Sequence, residues 1–94
     1  MLKIETIQIL ETYKLLCVFN TGEKRILDIQ STLDLANEYV KKIVQPETFK
    51  KVKIGDFGQI YWENIAEMKD LDGVTFPCEF DISPEFAYHN SASC

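Results

Sequence analysis

His89 is the only histidine in the chain and stands beside Asn90 and Ser91. An imidazole works as a general base only when neighbours hold it against a substrate. A short polar stretch supplies no such shell, so His89 reads as a solvent-exposed spectator. A metal set drawn from Cys78, His89 and Cys94 lacks both CxxC and HxxxH spacing, and no metal site is expected. Cys17 lies in the most apolar run and reads as a small core residue rather than a nucleophile. Among the carboxylates, Asp28 punctuates Ile26, Leu27 and Ile29. It is either a strand-end carboxylate bonding backbone amides or a binding contact. Glu79 and Asp81 share one strand face, where they form an acid–base pair only if a pocket joins them. Gly55-Asp56-Phe57-Gly58 lacks the GxxxxGK[ST] pattern and joins two strands, so it is no phosphate loop. Phe57 at its tip is either an exposed anchor for a protein partner or folds back over the hairpin. Trp62 shares strand parity with Ile60 and belongs in the core, which turns Tyr61 toward a groove or a partner. With Tyr88, these are the candidate contacts: Asp28, Phe57, Tyr61, Trp62, Asp81 and Tyr88. They include no catalytic set and no cofactor motif.

The elements that must position these residues follow from periodicity. Residues 2–10 read as a strand whose apolar positions change parity, Leu2 and Ile4 against Ile7 and Ile9. A bulge or an edge position explains such a switch. Residues 13–20 carry apolar side chains on both faces and are expected to form a central, covered strand. Thr21-Gly22 then turns the chain into a returning strand over 23–29, which closes a three-stranded meander. A main helix is expected from an N-cap at Ser31 to the stop at Pro46. Leu33, Ala36, Val40 and Ile43 form its apolar stripe, and Lys41 and Lys42 lie in its last turns. Residues 46–49 make a single turn that drops Phe49 into the core. Strands at 51–54 and 59–62 form a second hairpin. Residues 65–73 are ambiguous, with a short helix capped by Asn64 as one reading. Val74, Phe76, Cys78, Phe80 and Ile82 alternate as a strand that Pro77 confines to an edge or a bulge. Ser83-Pro84 starts a short helical turn through Tyr88. The fold class is α+β: an antiparallel sheet, made of the meander, the second hairpin and a C-terminal edge strand, packed on one main helix. Residues 1–88 form a single domain, and 89–94 a flexible tail.

At 94 residues the chain holds one modest core. Ten basic against fifteen acidic residues leave a net charge of −5. That balance disfavours a nucleic-acid backbone, whose binding rests on clustered Lys and Arg. It favours solubility, and it also suits a small basic protein partner. The longest uninterrupted apolar run is too short to span a bilayer, and no signal peptide is visible. Three irregularly spaced cysteines fit a reducing compartment, so a cytoplasmic location and no membrane association are expected.

Tyr13, Leu15, Val18, Phe19, Gly22, Arg25 and Asp28 together give the pattern YxL..VF..G..R..D. It is followed by Phe49-x-x-Val52-x-Ile54, by Ile60-x-Trp62-x-Asn64, and by Asp81-Ile82-Ser83-Pro84-Glu85 with Tyr88. From about Ile4 to Tyr88 this order resembles the small bacterial family catalogued as domain of unknown function 2442. The resemblance implies a compact α+β domain and supplies no activity. Some relatives carry an added helix-turn-helix domain, and some look like partners in toxin–antitoxin-like pairs. Family members commonly pass from the tryptophan segment almost directly to the aspartate-proline segment, whereas residues 65–80 are interposed here.

Three functions compete. The leading one is a non-enzymatic protein-interaction module, antitoxin-like, holding a small basic protein. The second is a small ligand-binding domain or enzyme with a pocket lined by Asp28, Trp62 and Asp81. The third is an accessory domain of a DNA-binding regulator. Homo-oligomerisation is compatible with the first two, because a sheet edge near residues 74–80 could pair with its copy.

Overall fold

A computed structural model describes residues 1–93, and its first hairpin accounts for the parity change near the N-terminus. Strand β1 (Ile4–Leu10) pairs antiparallel with β2 (Lys14–Phe19), and the register shifts between Ile4 and Thr6. Ile4 lies opposite Phe19 and Thr6 opposite Val18, so Glu5 is the extra residue of a bulge. The bulge returns Ile7, opposite Cys17, to the face that Ile4 occupies. β1 is also an edge strand, in a four-stranded sheet in which β2 is followed by β3 (Lys24–Asp28) and then β7 (Ala92–Ser93). Strand β3 (Lys24–Asp28) returns after Gly22, which takes φ +90°, and the Phe19 N–H donates to the Glu23 carbonyl at 2.9 Å. That bond leaves residues 20–22 as the loop and sets the register. β2 is central as expected, with Leu15, Cys17 and Phe19 buried. Its other face is not covered: Leu16 and Val18 are half-buried, screened by cross-strand neighbours such as Ile26. Tyr13 precedes the strand, at φ +59° in the turn, with its ring edge-on to Phe49 at 5.2 Å.

The single main helix is broken in two. Helix α1 (Ile29–Thr32) is capped by Asp28, whose carboxylate accepts the Ser31 N–H at 3.3 Å. Ser31 therefore sits inside the helix and is not its cap. Leu33 is extended, and the Asp34 carboxylate accepts the Ala36 N–H at 2.9 Å, a local bond that competes with helix continuation. Asn37 caps α2 (Glu38–Ile43), which buries Val40 and Ile43. Pro46 begins α3 (Pro46–Phe49) and does not merely stop a helix; Phe49 is delivered to the core as expected.

A second antiparallel sheet, ordered β4-β5-β6, joins β4 (Lys53–Ile54), β5 (Ile60–Lys69) and β6 (Thr75–Ile82). The ambiguous stretch after Asn64 is strand and turn, with no helix. Asn64 takes φ +58° within an irregularity where three β5 residues, 63–65, face the single residue Glu79. Asp70 then closes the hairpin, its carboxylate accepting the Asp72 and Val74 N–H groups at 2.9 Å each.

Helix α4 (Pro84–Asn90) starts at Ser83, whose hydroxyl accepts the Phe86 N–H at 3.1 Å. The stretch read as a flexible tail is placed in structure up to Ser93. His89 lies in α4, and β7 (Ala92–Ser93) pairs with Ile26 and Arg25. Cys94, the tail's last residue and a member of the weak metal set, lies outside the described residues. One apolar cluster joins the elements, with Phe19 and Leu27 from the first sheet, Trp62 and Ile82 from the second, and Ile43, Phe49 and Ala87 from the helices. The Ile4 N–H also donates to the Gly58 carbonyl at 3.0 Å, which stitches the two sheets together. No described helix is long and apolar enough to cross a membrane.

Candidate functional site

The six candidate contacts do not converge. Asp28 is occupied as the cap of α1. Trp62 is fully buried and donates its indole N–H to the Phe49 carbonyl at 3.1 Å, so it is a core residue. Asp81 is exposed and lines a different cleft from Trp62, beside Leu33, Ser83 and Phe86. Tyr61 does face away from the core, opposite Lys53 and Asp81, and it shares a small cleft with Phe57 and Glu79. Phe57 is exposed at the hairpin tip and does not fold back.

Tyr88 serves the first sheet. Its ring lies edge-on to Phe19 at 5.4 Å and under the Arg25 guanidinium at 4.5 Å. Its hydroxyl donates to a Glu23 carboxylate oxygen at 2.8 Å, and that bond raises the phenol above its ordinary pKa. Arg25 completes the cluster by donating to the Ser91 carbonyl at 2.6 Å and to the Ser91 hydroxyl at 2.8 Å. These contacts fasten the C-terminal segment to β3. Glu79 and Asp81 share the solvent face of β6, as expected. Among the described residues, no group of three or more His, Cys, Asp or Glu side chains gathers in a metal-holding arrangement.

What the structure does assemble is an arm. Beyond the bulge at 63–65, β5 and β6 run on as a two-stranded ribbon closed by the turn at residues 70–73. The molecule measures 45 × 28 × 20 Å. Antiparallel pairing puts Trp62 with Phe80, Ala66 with Cys78 and Met68 with Phe76, all on one face. That face is continuous with the core. Ile82 is 4% exposed, Phe80 and Cys78 are half-buried, Phe76 is 41% exposed and Val74 58%. Met68 is 55% exposed, and Leu71 at the tip is wholly so. The opposite face carries Glu67, Lys69, Thr75 and Pro77.

The alternation of residues 74–82 was visible in the sequence. What was hidden is that only its last part meets the core, so Met68, Leu71, Val74 and Phe76 were not singled out as contacts. The arm's outer edge is blunted. The Asp70 N–H donates to the Val74 carbonyl at 3.1 Å, and counting along the ladder makes Glu67–Pro77 a non-hydrogen-bonded pair. The proline nitrogen thus faces the free edge, where a further strand would need an N–H.

At the root of the arm the Lys42 ammonium donates to the Ile65 carbonyl at 3.3 Å, across from α2. A cleft of about 680 Å³ opens there between Lys50, Lys51 and Lys53 on one wall and Glu63, Asn64 and Ile65 on the other. Lys53 bonds Glu63 at 3.1 Å across it, which raises the ammonium above its ordinary pKa.

Comparison with known proteins places the chain in a family without assigning it a task. A family model described as "Protein of unknown function (DUF2442)" matches residues 4–93, and the chain belongs to that family. No curated protein and no solved structure matches it.

Proposed function

We propose that this member of the family is a non-enzymatic protein-interaction module that binds a polypeptide through the apolar face of the β5–β6 arm. The carrying observation is the stripe of Met68, Val74 and Phe76, which continues the core face of the second sheet into solvent and is left uncovered by the other described residues. Contiguous exposed apolar surface rimmed by polar residues marks an interaction site more often than it marks an idle surface. The rim defines the partner's chemistry. Asp70 and Asp72 flank the exposed Leu71 at the tip of the stripe, while Glu67, Glu79 and Asp81 lie on the opposite face, so the partner brings apolar groups with a lysine or arginine placed to meet the tip. A small basic protein held in an antitoxin-like pair has that chemistry. Pro77 disfavours addition of a strand at the β6 edge of the arm.

The test is reconstitution. A protein that co-purifies with the chain from its native cell is identified, produced separately, and titrated against wild-type chain and a Met68→Glu/Phe76→Glu variant. Loss of about tenfold or more in affinity is expected, because a charge at each position must be desolvated in the complex. Equal binding by the variant would remove the arm from the interaction.

A further inference from the structure

We propose that the polypeptide seated on the arm is a second copy of this chain: two arms lie antiparallel, apolar face on apolar face, with the acidic tip of each against the basic root of the other. This inference rests on the arm being a docking element, and it names the occupant.

Charge distribution carries it. Half of the ten basic residues lie between positions 41 and 53, where Glu47 is the only acid. The fold gathers Lys42, Lys50 and Lys51 around the root of the arm, at the Ile65 carbonyl and along the cleft beside residues 63–65, while Lys53, paired across the ladder with Tyr61, lies on the opposite face. Lys51 holds no ion pair among the described residues, whereas Lys50 and Lys53 are paired with Glu47 and Glu63. The tip carries Asp70 and Asp72 on either side of the exposed Leu71. One chain thus holds both halves of a complementary surface, separated by the length of the arm.

Two-fold symmetry requires a self-complementary patch, and the antiparallel arrangement supplies one. Met68 and Phe76 at mid-arm meet their own copies, and each acidic tip reaches a basic root. Parallel arms would set acid on acid. Edge-to-edge pairing of β6 is disfavoured, because the Pro77 nitrogen occupies the edge that would have to donate.

Sedimentation velocity over micromolar to millimolar chain concentrations reads the assembly. Wild-type chain is expected to dimerise, with a dissociation constant that rises with salt, and Met68→Glu/Phe76→Glu is expected to remain monomeric. A charge exchange then tests the arrangement. Asp72→Lys sets lysine against lysine while keeping the Asp70 carboxylate that closes the turn, and Lys50→Glu/Lys51→Glu sets acid against acid, so each alone should dimerise about threefold or more weakly than wild type. Mixed together they should form a heterodimer, because each tip again faces a root of opposite sign.

Wild-type chain that stays monomeric overturns the inference. So does a dimer that survives Met68→Glu/Phe76→Glu, or a mixture of the two charge variants that fails to pair. A monomer that still binds a small basic protein, and loses it on Met68→Glu/Phe76→Glu, refutes the self-partner alone. A monomer whose binding ignores those substitutions refutes the docking reading as well.

Discussion

Burying an indole obliges its N–H to find an acceptor, and Trp62 finds the Phe49 carbonyl, which also accepts the Val52 N–H at 3.2 Å. Trp62→Phe keeps an aromatic ring but removes the bond and leaves unfilled volume. A loss of about 2 kcal/mol, or about 10 °C in Tm, is expected in thermal unfolding of a chain this size. The sequence placed Trp62 in the core through its parity with Ile60; the acceptor, thirteen residues away, leaves no local pattern. Cys17 is a plainer case. Burial between the two sheets pushes its thiol up from 9.0 to about 11, so it holds little thiolate at pH 8. Peptide mapping after brief iodoacetamide treatment at that pH should find Cys17 unmodified in native protein and alkylated in denaturant. The unfolded thiol ionises from pH 9 and the folded one only near 11, so this group lowers stability as pH climbs through that window. Denaturant midpoints measured at pH 8 and pH 10 would show the fall.

At the scale of elements, β2, β3, β4 and β6 were readable from their alternation or turn signals, whereas β5 was read only over its first residues and β7 was missed. The bulge at Glu5 was foreshadowed by the parity change of Ile4 and Ile7, and the hairpins were marked by Gly22 and Gly58. The helix was misjudged because Leu33, Ala36, Val40 and Ile43 satisfy a helical stripe, while Asp34 and Asn37 offer the backbone side-chain acceptors that break it. Residues 65–73 were undecided for a related reason: Ile65, Met68 and Leu71 fit a helical spacing, and only Asp70 bonding forward to two amides commits the chain to a hairpin. Gly58 shows how tightly a turn is tied to its surroundings. It takes φ +76°, its carbonyl accepts the Ile4 N–H, and the space its β-carbon would occupy is filled by the Lys3 backbone and side chain. Gly58→Ala therefore adds left-handed strain to a clash with main chain, and should cost about 2 kcal/mol or more in denaturant unfolding. Gly73, also at positive φ but with open space around it, should lose only the conformational part on the same substitution.

Across the whole molecule the path closes on itself. The chain leaves the first sheet, builds the helices and the second sheet, and returns through α4 so that β7 becomes the fourth strand beside β3. Two paired residues cannot hold such an end alone, since a ladder that short barely repays the ordering of its backbone. Arg25 supplies the rest. Its guanidinium is largely buried and donates to Ser91 and Ser93, stacks on Tyr88 and lies 3.5 Å from Glu23. This is why the serine-rich end reads as a flexible tail in isolation: its partner is a side chain 66 residues earlier in the chain. Arg25→Ala removes charge-assisted bonds from a half-dry site and should cost about 2 kcal/mol. Hydrogen exchange should show the loss locally, with amides of α4 and β7 exchanging faster while those of β5 near Trp62 keep their protection. Arg25→Lys retains the charge without the planar fork, so it should recover only part of that protection. Uniform loosening of both sheets in Arg25→Ala would instead make the latch part of the global core. In that case the second sheet and its arm would depend on the C-terminus for their own stability.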